Sequence, residues 1–136
     1  MPGLKNYRVF IAHCWSYDDD YNRLVSLLSK ASLFEWSNYS VPKKDPLQGG
    51  TDAALERQIR SQMSPTQIVL VASGMYVAYR DWIGKEIDIA TSMGKPIVGI
   101  KPWGSERVPA AVQLVAREVV NWNTDSIVAA IRKHAI

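Results

Sequence analysis

The sequence predicts an α/β fold, a five-stranded parallel sheet enclosed between two layers of helices. Three observations support this class. Short β-branched and aromatic runs alternate with segments of helical apolar spacing along the whole chain. Two of those runs, Gln67–Ala72 and Pro96–Ile100, are continuously apolar, as strands buried on both faces are. The chain has 136 residues, 47% of them apolar, which suits one domain over residues 1–136 and is too little for two.

The elements follow in order. Tyr7–Ala12 reads as a buried first strand. The polar, acidic stretch Trp15–Asp20 turns the chain, and Asp18-Asp19-Asp20 supplies a cap and first-turn charge for a helix carrying Leu24, Leu27 and Leu28. That helix ends near Lys30, and Phe34–Tyr39 alternates as a second strand. Val41-Pro42-Lys43-Lys44-Asp45-Pro46 and then Gly49-Gly50 break the strand into a loop of about ten residues, and long loops in compact domains are often functional. Thr51 or Asp52 caps the next helix, with Leu55, Ile59 and Met63 on one face and Pro65 at its end. The third strand, Gln67–Ala72, closes at Ser73-Gly74. A helix over Tyr79–Ser92 follows, with Gly94 as its terminating residue. Pro96–Ile100 is the fourth strand, Pro102–Pro109 a loop, Val112–Ala116 a short helix and Glu118–Trp122 the fifth strand. Asp125 is the expected cap of a last helix carrying Ile127, Val128 and Ile131.

Composition removes several function classes. The formal charge of +3, from 16 basic and 13 acidic residues, is mild and interspersed, and no basic stripe with interleaved aromatics marks a nucleic-acid partner. One cysteine, Cys14, forbids an internal disulfide and fits a reducing compartment. With two histidines it does not make a structural zinc set, so no metal site is expected. Met1–Asn6 is short and polar, and Val9–Ala12 is far too short for a signal core or a span. A soluble cytoplasmic protein without membrane contact is expected. There is no GxGxxG, Walker A, HExxH, CxxC or GxSxG sequence. A phosphorelay receiver shares the element order, and Asp18–Asp20 and Lys101 suit one. The phospho-accepting aspartate at the end of its third strand is Ala72 or Ser73 here, so that chemistry cannot run.

In sheets of this kind ligands bind beyond the carboxyl ends of the strands, at the switch in strand order. Here that edge comprises His13-Cys14-Trp15, the Val41–Gly50 loop, Ser73-Gly74 and Lys101-Pro102-Trp103. Trp82 and Glu86 are four residues apart, hence on one helix face one turn apart. An aromatic wall beside a carboxylate suits cleavage of a glycosidic bond to a flat leaving group. The same spacing also describes a packed tryptophan beside a solvated glutamate. Its place, in the first turns of the helix after the third strand, is what gives the pair weight.

Further residues make the pattern specific. Tyr7-Arg8-Val9-Phe10-Ile11-Ala12-His13 resembles the first box of Toll/interleukin-1-receptor (TIR) domains. Ser73 followed by Tyr79, Trp82 and Glu86 resembles their third-helix motif, and Lys95-Pro96-Ile97-Val98 and Lys101-Pro102-Trp103-Gly104 resemble the next strand and its exit. Tyr39-Ser40-Val41-Pro42 and Trp122-Asn123-Thr124-Asp125-Ser126-Ile127 are similar to segments of the short TIR-like family that includes the NAD-processing subunit of bacterial Thoeris anti-phage systems. Ala12 and Cys14 depart from the pattern, standing where serines are expected.

The resemblance implies a flavodoxin-like three-layer sandwich and an enzyme that takes NAD as substrate, with no cofactor. Glu86 would be the catalytic carboxylate. Trp82 and Tyr79 would contact the substrate, with Ser73, Phe10, His13 and Trp15 also around it. His13 could instead satisfy a backbone group, and Lys43 and Lys44 could meet the diphosphate or face solvent. Tyr39, Val41, Pro42, Lys43 and Lys44 would belong to a lid completed by a neighbouring protomer, which implies a homo-oligomer. The product, ADP-ribose or a cyclic isomer, would be sensed by a separate effector protein. Two alternatives stand beside this reading: a non-catalytic TIR interaction module, and a nucleoside deoxyribosyltransferase-like enzyme that exchanges bases without NAD.

Overall fold

The computed structural model describes residues 5–12, 19–40, 52–73, 80–101 and 108–136. Its strands are β1 (Asn6–Ala12), β2 (Glu35–Asn38), β3 (Ile68–Ala72), β4 (Ile97–Ile100) and β5 (Glu118–Val120). The helices are α1 (Asp19–Ser29), α2 (Asp52–Met63), α3 (Arg80–Ser92), α4 (Ala110–Val115) and α5 (Thr124–His134). The strands form one sheet in the order β2-β1-β3-β4-β5, and every neighbouring pair is parallel. This is the flavodoxin-like order, with its reversal between β1 and β3.

Burial follows position in the sheet. Every residue of β3 and β4 is buried, and β1 becomes buried from Val9 onward. β2 and β5, at the two edges, keep polar residues such as Glu35, Ser37 and Glu118 partly or fully exposed, which discourages edge-to-edge pairing. α1 packs beside α5, and α2 beside α3. Leu24 and Leu28 of α1, Ile59 and Met63 of α2, Ile83, Ile87 and Ala90 of α3, and Ile127 and Ile131 of α5 join the strand residues in one core.

Two glycines have structural reasons. Gly94 has φ +69°, its N–H donates to the Thr91 carbonyl and the Lys95 N–H to that of Ala90, a Schellman ending for α3. At Gly99 a Cβ would lie 2.9 Å from Val112 Cγ1 and 3.4 Å from Val119 Cγ2, so the absent side chain lets α4 settle on β4. The cap of α5 differs from the expectation. Asn123 is the N-cap, its side chain accepting from the Ser126 N–H at 2.7 Å, while Asp125 lies in the first turn. Asn123 has the extended backbone a cap requires, and Asp125 already has helical geometry. Among the described residues no helix is long and apolar enough to cross a membrane.

Candidate active site

The crevice beyond the carboxyl ends of β1 and β3 is where this strand order opens. The chain leaves β1 for an edge strand on one side and leaves β3 for β4 on the other, so the two connections diverge. Ala12 ends β1. Ser73 follows β3 directly and is fully buried, and its Oγ has no hydrogen-bond partner among the described residues. A buried hydroxyl left in that state costs about 1–3 kcal/mol.

Glu86 lies on α3 among Ile83, Ile87 and Ala90, the residues that point to the core, and it too is 0% exposed. Helical spacing would place an apolar residue there. A carboxylate in such surroundings carries a desolvation penalty of several kcal/mol. Ionisable groups held by burial cluster at functional sites, though structural networks hold them as well. α3, the helix bearing Glu86, contacts β1 as well as α2.

A polar network fixes the other side of that exit. The β1–β2 ladder runs from the Asn6–Glu35 pair to the Val9–Asn38 pair, and the Tyr39 N–H still donates to the Val9 carbonyl at 2.9 Å. Ser40 then departs from the strand, and its Oγ accepts from the Ile11 N–H at 3.0 Å. The same hydroxyl donates to Asn38 Oδ1 at 2.7 Å, and Asn38 Nδ2 donates to the Tyr21 hydroxyl at 2.6 Å. Gln62 Nε2 of α2 reaches the Tyr39 and Ser40 carbonyls at 3.4 and 3.3 Å. Four elements therefore hold the start of the segment that leads into residue 41. An Asn-x-Ser sequence at the end of a strand, with its capacity for local side-chain to backbone bonds, is the signal that could have marked this network.

Among the residues singled out from sequence, Ser73 and Glu86 are both buried polar groups. Phe10 lies in the middle of β1, fully buried in the core, where it packs the sheet. Tyr39 is half-buried at the exit of β2. The backbone of Trp82 is in the first turn of α3, and its side chain lies outside the described residues. His13, Trp15, Val41, Pro42, Lys43, Lys44 and Tyr79 lie outside them as well. Beyond β4, the Trp122 indole N–H donates to the Lys101 carbonyl at 2.5 Å and ties the exits of β4 and β5 together. Among the described residues no group of three or more His, Cys, Asp or Glu could hold a metal ion.

Residues 10–107 match the family described as Thoeris protein ThsB, TIR-like domain. The chain belongs to this Thoeris TIR-like family. The match begins at Phe10 in β1 and includes β2, β3, α3 and β4, hence Ser73, Trp82 and Glu86. It stops short of α4, β5 and α5, which complete the TIR-like sheet and its helix layers. No curated protein matches the chain.

Proposed function

We propose that this Thoeris TIR-like chain acts in the cytoplasm in anti-phage defence by cleaving the nicotinamide–ribose bond of NAD, with Glu86 as its catalytic carboxylate. The observation that carries the reading is a carboxyl held at 0% exposure on α3, inside the span that matches the family. Buried ionisable groups cluster at functional sites, which favours an enzyme over a module that only binds partners.

The chemistry needs only one acid. Nicotinamide in NAD is cationic and leaves as a neutral base, taking the electron pair of the C1–N bond and no proton. An ether-linked sugar, by contrast, requires a second carboxyl to protonate its alkoxide. As the bond breaks, positive charge develops on the ribose ring, and a fixed carboxylate beside it stabilises that charge and can hold the ribose hydroxyls. Trp82 and Tyr79 would stack on the nicotinamide end and Ser73 would donate or accept at a substrate hydroxyl. The intermediate is captured by an oxygen nucleophile that loses its proton to solvent. Water yields ADP-ribose, and a hydroxyl of NAD itself yields a cyclic isomer. A site closed against water would favour the internal route. A cyclic product would serve as a signal for a separate effector, and the Tyr39–Lys44 segment would complete the site between protomers of a homo-oligomer.

The test is chromatography of NAD incubated with the wild type and with Glu86→Gln, at low and high protein concentration. The amide keeps the shape and removes the charge. Nicotinamide release by the wild type, lowered at least about a hundredfold in the variant, is the expected result. Equal release by both proteins would overturn the assignment of Glu86.

A further inference from the structure

The helices of this fold run back against the direction of the parallel strands, so helix ends and strand starts share one rim of the molecule, opposite the crevice. Basic residues collect there. In the sheet, Lys5 precedes β1, Arg8 lies early in β1, and Lys95 and Arg117 stand just before β4 and β5. Arg8 Nε donates to the Pro65 carbonyl and Lys95 Nζ to those of Ser64 and Thr66, so both reach the turn ahead of β3. In the helix layer beside them, Lys30 follows α1, and Arg132 and Lys133 lie in the last turn of α5. Apart from the Arg60–Glu56 pair within α2, two carboxylates stand near these seven cations. They are Glu35 and Glu118, and Glu118 is already held by His134 Nε2 at 2.9 Å. Lys30, Arg132 and Lys133 complement helix C-termini. Lys5 and Arg8 are at no helix end. Burial, and then the nearby Arg8 charge, lower the pKa of Lys95, so the cations of this rim feel one another.

The same rim carries the exposed large apolar side chains of the described residues. Leu33, between α1 and β2, is 76% exposed, and Leu114, in the last turn of α4, 85%. Ile136 is 64% exposed, and its N–H donates to the Gln67 carbonyl just ahead of β3. Leu33 is also held at φ +54°, a left-handed backbone that asparagine or glycine adopts with less strain. Arg132 Nη2 fixes it there, donating to its carbonyl at 2.7 Å. Single exposed apolar residues need no explanation. Three on one rim among seven cations do.

Cations alone would suit any polyanion. This array is broad as well as long. It runs about 19 Å along the rim from β2 to β5, and it extends from the sheet into the layer of α1 and α5. A broad array of cations with apolar side chains along it fits a flat anionic surface with an apolar interior. We propose that this rim docks on an anionic lipid bilayer, its cations against the headgroups and Leu33, Leu114 and Ile136 toward the acyl boundary. The contact is peripheral and needs no spanning helix. In sequence order these residues come from five separate segments, so the expectation of no membrane contact follows from the sequence alone, and the fold is what gathers them. The crevice, at the other rim, faces away from the bilayer. The docking does not depend on the proposed reaction.

Co-sedimentation of the full chain with vesicles tests the docking, with circular dichroism melting of each variant as a check of folding. The wild type is expected to pellet with phosphatidylcholine vesicles containing about one third phosphatidylserine, and to stay in solution with phosphatidylcholine alone. Raising salt from about 0.1 M to about 0.5 M should weaken binding at least about tenfold. Lys30→Glu, Arg117→Glu and Lys133→Glu combined reverse three exposed charges whose side chains make no hydrogen bond or ion pair among the described residues. This triple variant should lose affinity at least about a hundredfold. Leu33→Asn relieves the backbone strain and removes the apolar side chain. It should melt no lower than the wild type and bind about tenfold more weakly. If the triple variant fails to fold, the salt dependence and Leu33→Asn decide. No pelleting with the anionic vesicles, equal pelleting with the neutral ones, or unchanged binding in either folded variant would overturn the proposal. Tighter binding of a single-stranded oligonucleotide, lost in the triple variant, would assign the rim to nucleic acid and overturn it as well.

Discussion

The Ser40 hydroxyl receives the Ile11 amide of β1, taking the place of a strand carbonyl just where β2 peels away from the sheet. Both residues are buried, so this bond is shielded from water. Ser40→Ala removes this bond and the one to Asn38 Oδ1, and should destabilise the protein by about 1–3 kcal/mol, at about 0.5–1.5 kcal/mol for each. Ser40→Thr retains the oxygen and should recover most of that loss. Urea denaturation gives the magnitude. Faster exchange of the Ile11 amide proton in Ser40→Ala, restored in Ser40→Thr, would assign it to this bond.

Ser73 presents the opposite case. Its Oγ is buried and has no hydrogen-bond partner among the described residues, so deletion removes nothing that holds the fold. Ser73→Ala should leave stability within about 0.5 kcal/mol of the wild type or raise it slightly. If the hydroxyl meets the substrate, the same variant should lose activity on NAD, by about fivefold to a hundredfold in kcat/KM. A loss of stability without loss of activity would instead mark Ser73 as a packing residue.

The sheet was legible in the sequence because its signals are local and redundant. The Ile68–Ala72 and Ile97–Ile100 runs are apolar without interruption because both faces of those strands are covered, and Gly94 sits at the one position past α3 that needs a positive φ. Glu86 stood out in the sequence by its spacing from Trp82 and its place after the third strand, a spacing that fits a solvated glutamate equally well, and only the structure shows it buried among Ile83, Ile87 and Ala90. Other features were not legible. Asn123 and Asp125 are both good capping residues two positions apart, and only the backbone conformation shows which one caps. The bond between Ser40 and Ile11 joins residues 29 positions apart through a side chain, which no periodicity encodes. Phe10 fits the first-strand pattern of the family and is a core residue here, because its place within β1 lies below the exit.

Gly99 ties a single missing methyl group to the seating of a helix. A Cβ at 2.9 Å from Val112 Cγ1 and 3.4 Å from Val119 Cγ2 requires one of those neighbours to shift. Gly99→Ala should destabilise by about 1–3 kcal/mol, the usual penalty for overpacking. Val112→Ala alone should also destabilise, by opening space under α4. The double variant should be less destabilised than the sum of the two single ones, since each change relieves the other. Additive losses in a double-mutant cycle would mean that α4 is not held by this contact.

Lys95 supplies a dependence on pH whose sign is fixed. Its Nζ donates to the Ser64 and Thr66 carbonyls at 2.8 and 2.7 Å, at the edge of the sheet opposite the crevice. Burial first, and then the nearby Arg8 charge, lower its pKa from 10.5. Between that lowered value and 10.5 the unfolded chain binds more protons than the folded one, so the contribution of Lys95 to stability rises with pH across the window. Below the window the lysine is charged in both states and the folded state bears the penalty of holding the charge. A neutral amine still has two N–H groups for the two carbonyls, so the bonds survive deprotonation. Urea denaturation of the wild type and Lys95→Gln from neutral pH to about pH 10 isolates the effect, because tyrosines and other lysines titrate alike in both. The wild type should gain stability relative to the variant as pH rises. A difference that is flat, or that falls with pH, would show that Lys95 keeps its proton in the fold as readily as in water.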